Sequence, residues 1–247
     1  MSGPAGAPPS VPVDVADIQP VGAARAPAPD AALALVHADD ALLVFDKPAG
    51  LLAVPGRGPD KQDCLSARAQ AHFGDALVVH RLDMATSGLI VMGRGAAAQS
   101  ALSRAFQRRR VHKRYEAVVA GSVAPPAGDG GWGCIDAPLL LDWLHRPRSR
   151  VDLELGKPSQ TRWRVIGPET LPDGAPATRL CLEPVTGRSH QLRVHLLSIG
   201  HPIVGDPLYA PAALAAASPR LLLHACALTL DHPVSGETMN FCSPTPF

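Results

Sequence analysis

Strand-length apolar runs, each closed by a turn and not alternating regularly with helices, limit what this chain can fold into more than any other feature. The first is residues 41–45, ended by Asp46-Lys47-Pro48-Ala49-Gly50, where proline and glycine stop a strand in a turn. Residues 77–79, 89–92, 115–120, 161–165, 178–183, 221–230 and 239–242 read the same way, with a turn around Pro172-Asp173-Gly174 between two of them. The stretch 121–133, rich in Gly and Pro, is a loop. Helical spacing occurs twice. After Gly95, Ala98, Leu102 and Phe106 share a face beside arginines, and Leu192, Leu196 and Ile199 share another that Gly200 is placed to end. Many strands with few helices predict an α+β domain built on a large mixed sheet.

Residues 1–30 hold seven prolines among Gly, Ala and Val and contain no Phe, Tyr or Trp, so a disordered tail is expected over 1–32 and a folded domain over 33–247. The chain is long enough for a sizeable core at 46% hydrophobic residues. Five widely spaced cysteines without a C-x-x-C pair read as reduced and structural. There is neither a signal-peptide pattern nor an uninterrupted apolar stretch of membrane-spanning length, so a soluble cytoplasmic protein is expected. His190 and His195 are five apart, on different helical faces, and no H-E-x-x-H, P-loop or G-x-G-x-x-G motif occurs. Neither metal nor cofactor is expected.

Charge is balanced overall, at +1, but unevenly placed. From Arg94 to Arg114 seven cations (Arg94, Arg104, Arg108, Arg109, Arg110, Lys113, Arg114) occur with no acid, and Arg146, Arg148 and Arg150 follow. Such stretches suit phosphate contacts, for which arginine offers a planar fork; the plainer reading is a solvated helix face. Asp83 lies in the polar loop His80 to Gly88 between two strands. It is either a site carboxylate or an Asx-turn cap. A second polar loop, Thr186-Gly187-Arg188-Ser189-His190-Gln191, leads into the helix carrying Arg193. Its amides face where an anion could bind, or Ser189 simply caps the helix.

Val79-His80-Arg81-Leu82-Asp83-Met84-Ala85-Thr86-Ser87-Gly88-Leu89 resembles the signature of the RluA family of pseudouridine synthases. Asp46-Lys47-Pro48-Ala49-Gly50-Leu51, Lys113-Arg114-Tyr115-Glu116-Ala117 and Thr186-Gly187-Arg188-Ser189-His190-Gln191-Leu192-Arg193 are similar to three further family stretches, in the expected order. The likeness runs from about residue 33 to the end and is strongest to the dual-specificity branch, through Val54-Pro55-Gly56-Arg57, Leu141-Asp142-Trp143 and Gly156-Lys157-Pro158. Asp46 stands where the family often has Asn, and the proline-rich extension is foreign to the family core.

The resemblance implies the pseudouridine synthase fold: a large, mostly antiparallel sheet with flanking helices and loops around an RNA-binding cleft, with no S4 domain ahead of residue 33. It also implies the substrates, an anticodon stem-loop of tRNA and a loop of 23S rRNA. Nothing in the sequence implies a protein partner, and a monomer is expected. Converting uridine to pseudouridine exchanges an N1–C1′ bond for a C5–C1′ bond, which needs no redox group or energy source. A carboxylate, ionised at neutral pH, can stabilise a cationic sugar, add to it or accept a proton, and Asp83 fits. By resemblance Tyr115 packs on the flipped base and takes part in proton removal, and Arg188 pairs with Asp83. Arg81 and Met84 are expected to wedge into the vacated stack. Arg104, Arg108, Arg109, Arg110, Lys113, Arg146, Arg148 and Arg193 are expected to contact RNA, and His80 to orient its loop. Two alternatives stand beside this: a catalytically silent RNA-binding module on the same fold, and a glycosidase pairing Asp83 with a second carboxylate such as Asp136 or Asp206.

Overall fold

The computed structural model describes residues 33–247, so the tail expected over 1–32 lies outside the described residues. A ten-stranded sheet dominates. Its first half is built from β1 (Ala34–Ala38), β2 (Leu42–Lys47), β3 (Ala76–Val78), β4 (Ser87–Arg94) and β5 (His112–Ala120). Helices α1 (Leu65–Phe73) and α2 (Gly95–Gln107) lie between them in the chain. The second half adds β6 (Gly133–Asp136), a separate hairpin β7 (Leu139–Leu141) with β8 (Ser149–Val151), then β9 (Gln160–Thr170) and β10 (Pro176–Pro184). It closes with α3 (Gln191–Ser198), α4 (Ala212–Ala216), β11 (Leu223–Asp231) and β12 (Thr238–Cys242).

The sheet order is β1-β2-β4-β11-β5-β10-β9-β6, with β12 on β11 and β3 on β4. Its strands pair antiparallel, except that β4 runs parallel to β11 through Ser87 with His224 and Gly88 with Ala225. That is the mixed, mostly antiparallel α+β sheet the sequence predicts.

Alternation along the strands explains how the sheet is covered. On β2, Leu43 and Phe45 join one core and Leu42 and Val44 another; on β4, Ile90 and Met92 divide from Leu89 and Val91 in the same way. The first core is capped by Leu65 and Ala69 of α1 and Leu192 and Leu196 of α3, the second by Leu102 of α2. Strands buried on both faces read as unbroken apolar runs, which is why the central strands are legible in the sequence. Gly200, at φ 83°, follows the end of α3 as expected. Strands β1, β6, β7 and β8 and helices α1 and α4 have no counterpart in the sequence reading. Among the described residues no helix is long and apolar enough to cross a membrane.

Candidate active site

The loop between β3 and β4 is fixed from both sides. Val91 donates its N–H to His80 Nε2 at 3.0 Å, and the imidazole stacks on Phe106 with centroids 4.4 Å apart. A ring nitrogen that accepts must be unprotonated. Burial, reinforced by Lys113, accordingly pushes His80 down to about 3. On the other side the Met84 carbonyl accepts from Gly50 N–H at 2.8 Å and from Lys47 Nζ at 3.2 Å. Lys47 is fully buried and also donates to the carbonyls of Pro48 and Leu51, both at 2.8 Å. Burial pushes it down to about 7, against the opposing pull of Asp83. Behind the loop, His224 bridges Ser87 Oγ at 2.8 Å and Ser243 Oγ at 3.0 Å, and Ser243 donates to Asp46 at 2.5 Å. Asp46, the residue that departs from the family pattern, thus ends a buried polar chain that starts four residues after Asp83.

Asp39, Asp142, Asp152, Asp173 and Asp206 all accept backbone N–H groups in their own turns. Asp83 does not. Only its carbonyl closes a turn, accepting from Thr86 N–H at 3.1 Å. Among the described residues its carboxylate has no hydrogen bond; Arg193 Nη1 lies 3.6 Å and His190 Nε2 3.9 Å away, both nearest to Oδ2. The Asx-cap reading therefore does not describe this residue.

The pairing expected of Arg188 is made instead by Arg193. Arg188 is exposed at the cleft, whereas Arg193 is 3% exposed and cannot serve as the phosphate contact expected of it. Arg193 donates from Nε and Nη2 to the two oxygens of Asp206, at 2.8 and 2.6 Å. Burial opposes its charge, but Asp206 and then Asp83 outweigh that and hold the guanidinium above its ordinary range. The spacing explains the exchange: Arg188 precedes α3, while Arg193 sits in its first turn and points inward with the buried side chains. Asp206 is fully buried and also accepts from Leu208 and Tyr209 N–H groups, so it is saturated. A glycosidase needs a second free carboxyl facing the first, and Asp136, at the end of β6 and bonded to Gln160 of β9, is not among the residues that line the cleft with Asp83.

Asp83 and the buried ring of Tyr115 line one cleft of about 1080 Å³, joined by Arg81, Arg109, Lys113 and Arg188. Burial, and then the charge of Asp83, push the Tyr115 phenol well above its usual range. Arg109 turns into the cleft through a left-handed backbone, φ 57°. Arg104, Arg108 and Arg110 are exposed but outside the cleft lining, with Arg104 bonded to Ser100 at 2.7 Å. Met84 is 39% exposed beside Asp83. Arg146 and Arg148 sit on the segment joining β7 to β8, the first stacked on the Trp143 ring. Sequence reasoning assigns no role to Lys47 or Tyr209 and places no part of the site on His190. For Lys47 a signal exists in the Asp-Lys-Pro turn; for Tyr209, 126 positions from Asp83 by number, there is none.

A family model described as RNA pseudouridylate synthase matches residues 41–198. The dual-specificity RNA pseudouridine synthase RluA of Escherichia coli strain K12 is 46% identical over 215 residues, covering 87% of this chain and 94% of that protein. Its namesake in Haemophilus influenzae is 44% identical over the same shares. Among solved structures, human RNA pseudouridylate synthase domain containing 1 superposes with a TM-score of 0.70 at 29% identity, covering 87% of this chain and 84% of its own. Human RNA pseudouridylate synthase domain containing 4 gives a TM-score of 0.65 at 24% identity, covering 86% and 88%, and so supports the fold. A family match over most of the sheet, and relatives matched over nearly their whole length, exclude the silent RNA-binding alternative: the chain belongs to the RNA pseudouridylate synthase family and is an isomerase.

Proposed function

We propose that this enzyme isomerises uridines in an anticodon stem-loop of tRNA and in a loop of 23S rRNA, with Asp83 as the reacting carboxylate. The observation that carries the assignment is the state of Asp83. Alone among the turn aspartates described above, its carboxylate is not spent on its own backbone, and a buried arginine holds it beside Tyr115 in a cationic cleft. The two RNA classes are those the family resemblance implies, in keeping with the dual specificity in the bacterial relatives' names. The protein acts as a monomer in the cytoplasm, through one catalytic domain over 33–247.

The chemistry follows from these residue types. The target nucleotide leaves its stack, and Arg81 and Met84, exposed on either side of Asp83, occupy the gap. Arg193 keeps the carboxylate oriented, so it meets the positive charge that develops at C1′ as the N1–C1′ bond breaks. The freed base turns against the Tyr115 ring and rejoins through C5, whose proton is then lost. With its phenol pushed upward, Tyr115 works at neutral pH as a neutral ring and hydrogen-bonding group, not as a phenolate. Arg109, Lys113 and Arg188 take phosphates along the cleft.

Tritium release from C5-labelled uridine tests the reading, with tRNA and 23S rRNA fragments assayed separately. Asp83→Ala is expected to abolish release from both while RNA affinity persists. Equal release by the variant and the parent would remove Asp83 from the chemistry.

A further inference from the structure

Two hydrogen bonds meet on one phenol beside the cleft. Ser149 donates its backbone N–H to Tyr209 Oη at 2.7 Å, and Tyr209 Oη lies 2.7 Å from His190 Nδ1. The phenol's own proton needs an acceptor. Among the described residues His190 Nδ1 is the partner that remains, because Ser149 N–H can only donate. The bond therefore runs from Tyr209 O–H to Nδ1, and the imidazole carries its proton on Nε2. That nitrogen is the one nearest Asp83 Oδ2, 3.9 Å away, a charge–dipole contact and not a hydrogen bond.

The surroundings agree with a neutral ring held in one orientation. Burial lowers the His190 pKa, with Asp83 opposing. Tyr209 packs edge-on against the imidazole at 5.5 Å, and the Arg193 guanidinium lies over the Tyr209 ring at 5.0 Å. His190 also takes a left-handed backbone, φ 55°, ψ 19°, which costs a non-glycine residue about 1–2 kcal/mol and persists where surrounding contacts enforce it. Arg193 and His190 both come nearest to the same oxygen, Oδ2. Among the described residues Oδ1 accepts no hydrogen bond.

We infer that His190 is a positioning residue for the isomerisation: Tyr209 locks it as the Nε2–H tautomer, and this N–H, together with Arg193, fixes Asp83 so that Oδ1 is the oxygen presented to the target sugar. The role rests on the assignment of Asp83 as the reacting carboxylate. It also makes the β7–β8 hairpin part of the site's support, since Ser149 anchors the phenol.

The test separates hydrogen bonding from backbone conformation. Glutamine carries an N–H donor near the place of Nε2 but suits the left-handed region poorly; asparagine suits that region but is too short to reach Asp83. His190→Gln is expected to keep more single-turnover activity than His190→Asn, and His190→Ala to lose about ten- to a hundred-fold with RNA affinity unchanged, the scale of loss when a reacting group is slightly misplaced. Imidazole nitrogen NMR should find one Nε2–H tautomer for His190 in the parent and a mixture in Tyr209→Phe, which keeps the ring but removes the donor. Asparagine equal to or better than glutamine, or an unchanged tautomer with parental activity in Tyr209→Phe, overturns the inference. Activity retained by Asp83→Ala would mark failure of the underlying assignment instead, whereas the tautomer measurement does not depend on it.

Discussion

Arg193 stands between two carboxylates, 2.6 Å from Asp206 and 3.6 Å from Asp83. Asp206 is fully buried, and this guanidinium is the cation that balances it. The cation nearest Asp83 is thus also part of what holds the protein together.

Arg193→Ala is expected to destabilise the protein by about 3 kcal/mol or more, because a buried carboxylate is left without its partner. Arg188→Ala, at the exposed cleft rim, should change stability by less than about 0.5 kcal/mol. It should instead weaken RNA binding and lower the salt slope by about one. Urea unfolding and RNA titrations at several salt concentrations measure both, and equal stability loss in the two variants would contradict the exchange of roles.

Lys47 gives the stability a pH dependence with a definite sign. Its pKa falls from an ordinary value of 10.5 to about 7 in the folded protein. Between those values the unfolded chain binds more protons, so this group's contribution rises with pH from about 7 to 10, by at most about 1.4 kcal/mol per unit. Below about 7 both states are protonated and the slope vanishes. Lys47→Met should flatten the rise, and parallel urea midpoints for parent and variant at pH 7 and 9 would show that the ammonium stays charged throughout.

Replacing Arg108, Arg109 and Arg110 together should weaken RNA binding and flatten its salt dependence, with Arg109 responsible because it alone of the three lines the cleft. Arg109→Ala by itself is expected to reduce the slope by about 0.7–0.9, the value of one phosphate contact. Arg104→Ala, outside the lining, should leave the slope unchanged. Titrations across salt concentrations would reject this division if Arg104 and Arg109 behaved alike.

Gly88→Ala should be among the most damaging small substitutions. At φ +111° an added Cβ would lie 2.4 Å from the Ala225 carbonyl oxygen, directly across the parallel pairing of β4 and β11. Backbone strain and forced separation of the strands together are expected to cost about 3 kcal/mol. Chemical denaturation checks it, and a loss under about 1 kcal/mol would mean that the strands can part cheaply.

Much of the architecture is legible in the sequence because the central strands are buried on both faces. The runs that form β2 and β4 need no partner to be recognised. Short elements are not legible: the edge strand β6 and the hairpin strand β8 carry little apolar pattern of their own, and the three leucines of β7 are too few to show a period, so all three exist through what they pair with. Helix α1 escapes for a related reason, since its Ala, Arg, Gln and His residues bury only Leu65, Ser66 and Ala69. At the candidate site, the motifs and residue types already single out Asp83, Arg81 and Tyr115, which line one cleft. Which of two arginines five positions apart faces the carboxylate is not, because it depends on the left-handed turn at His190 that starts α3. Tyr209 and Asp206 meet His190 and Arg193 there from a separate loop, between α3 and α4.

The β4–β11 pairing has a consequence for biogenesis. Ser87, four residues past Asp83, is tied to His224, which lies 137 positions further along the chain. A ribosome that has finished the signature loop has therefore made an aspartate without a site, and it remains so until β11 emerges. The sheet behind the signature loop closes only once β11, which lies between β4 and β5 in the strand order, has been made.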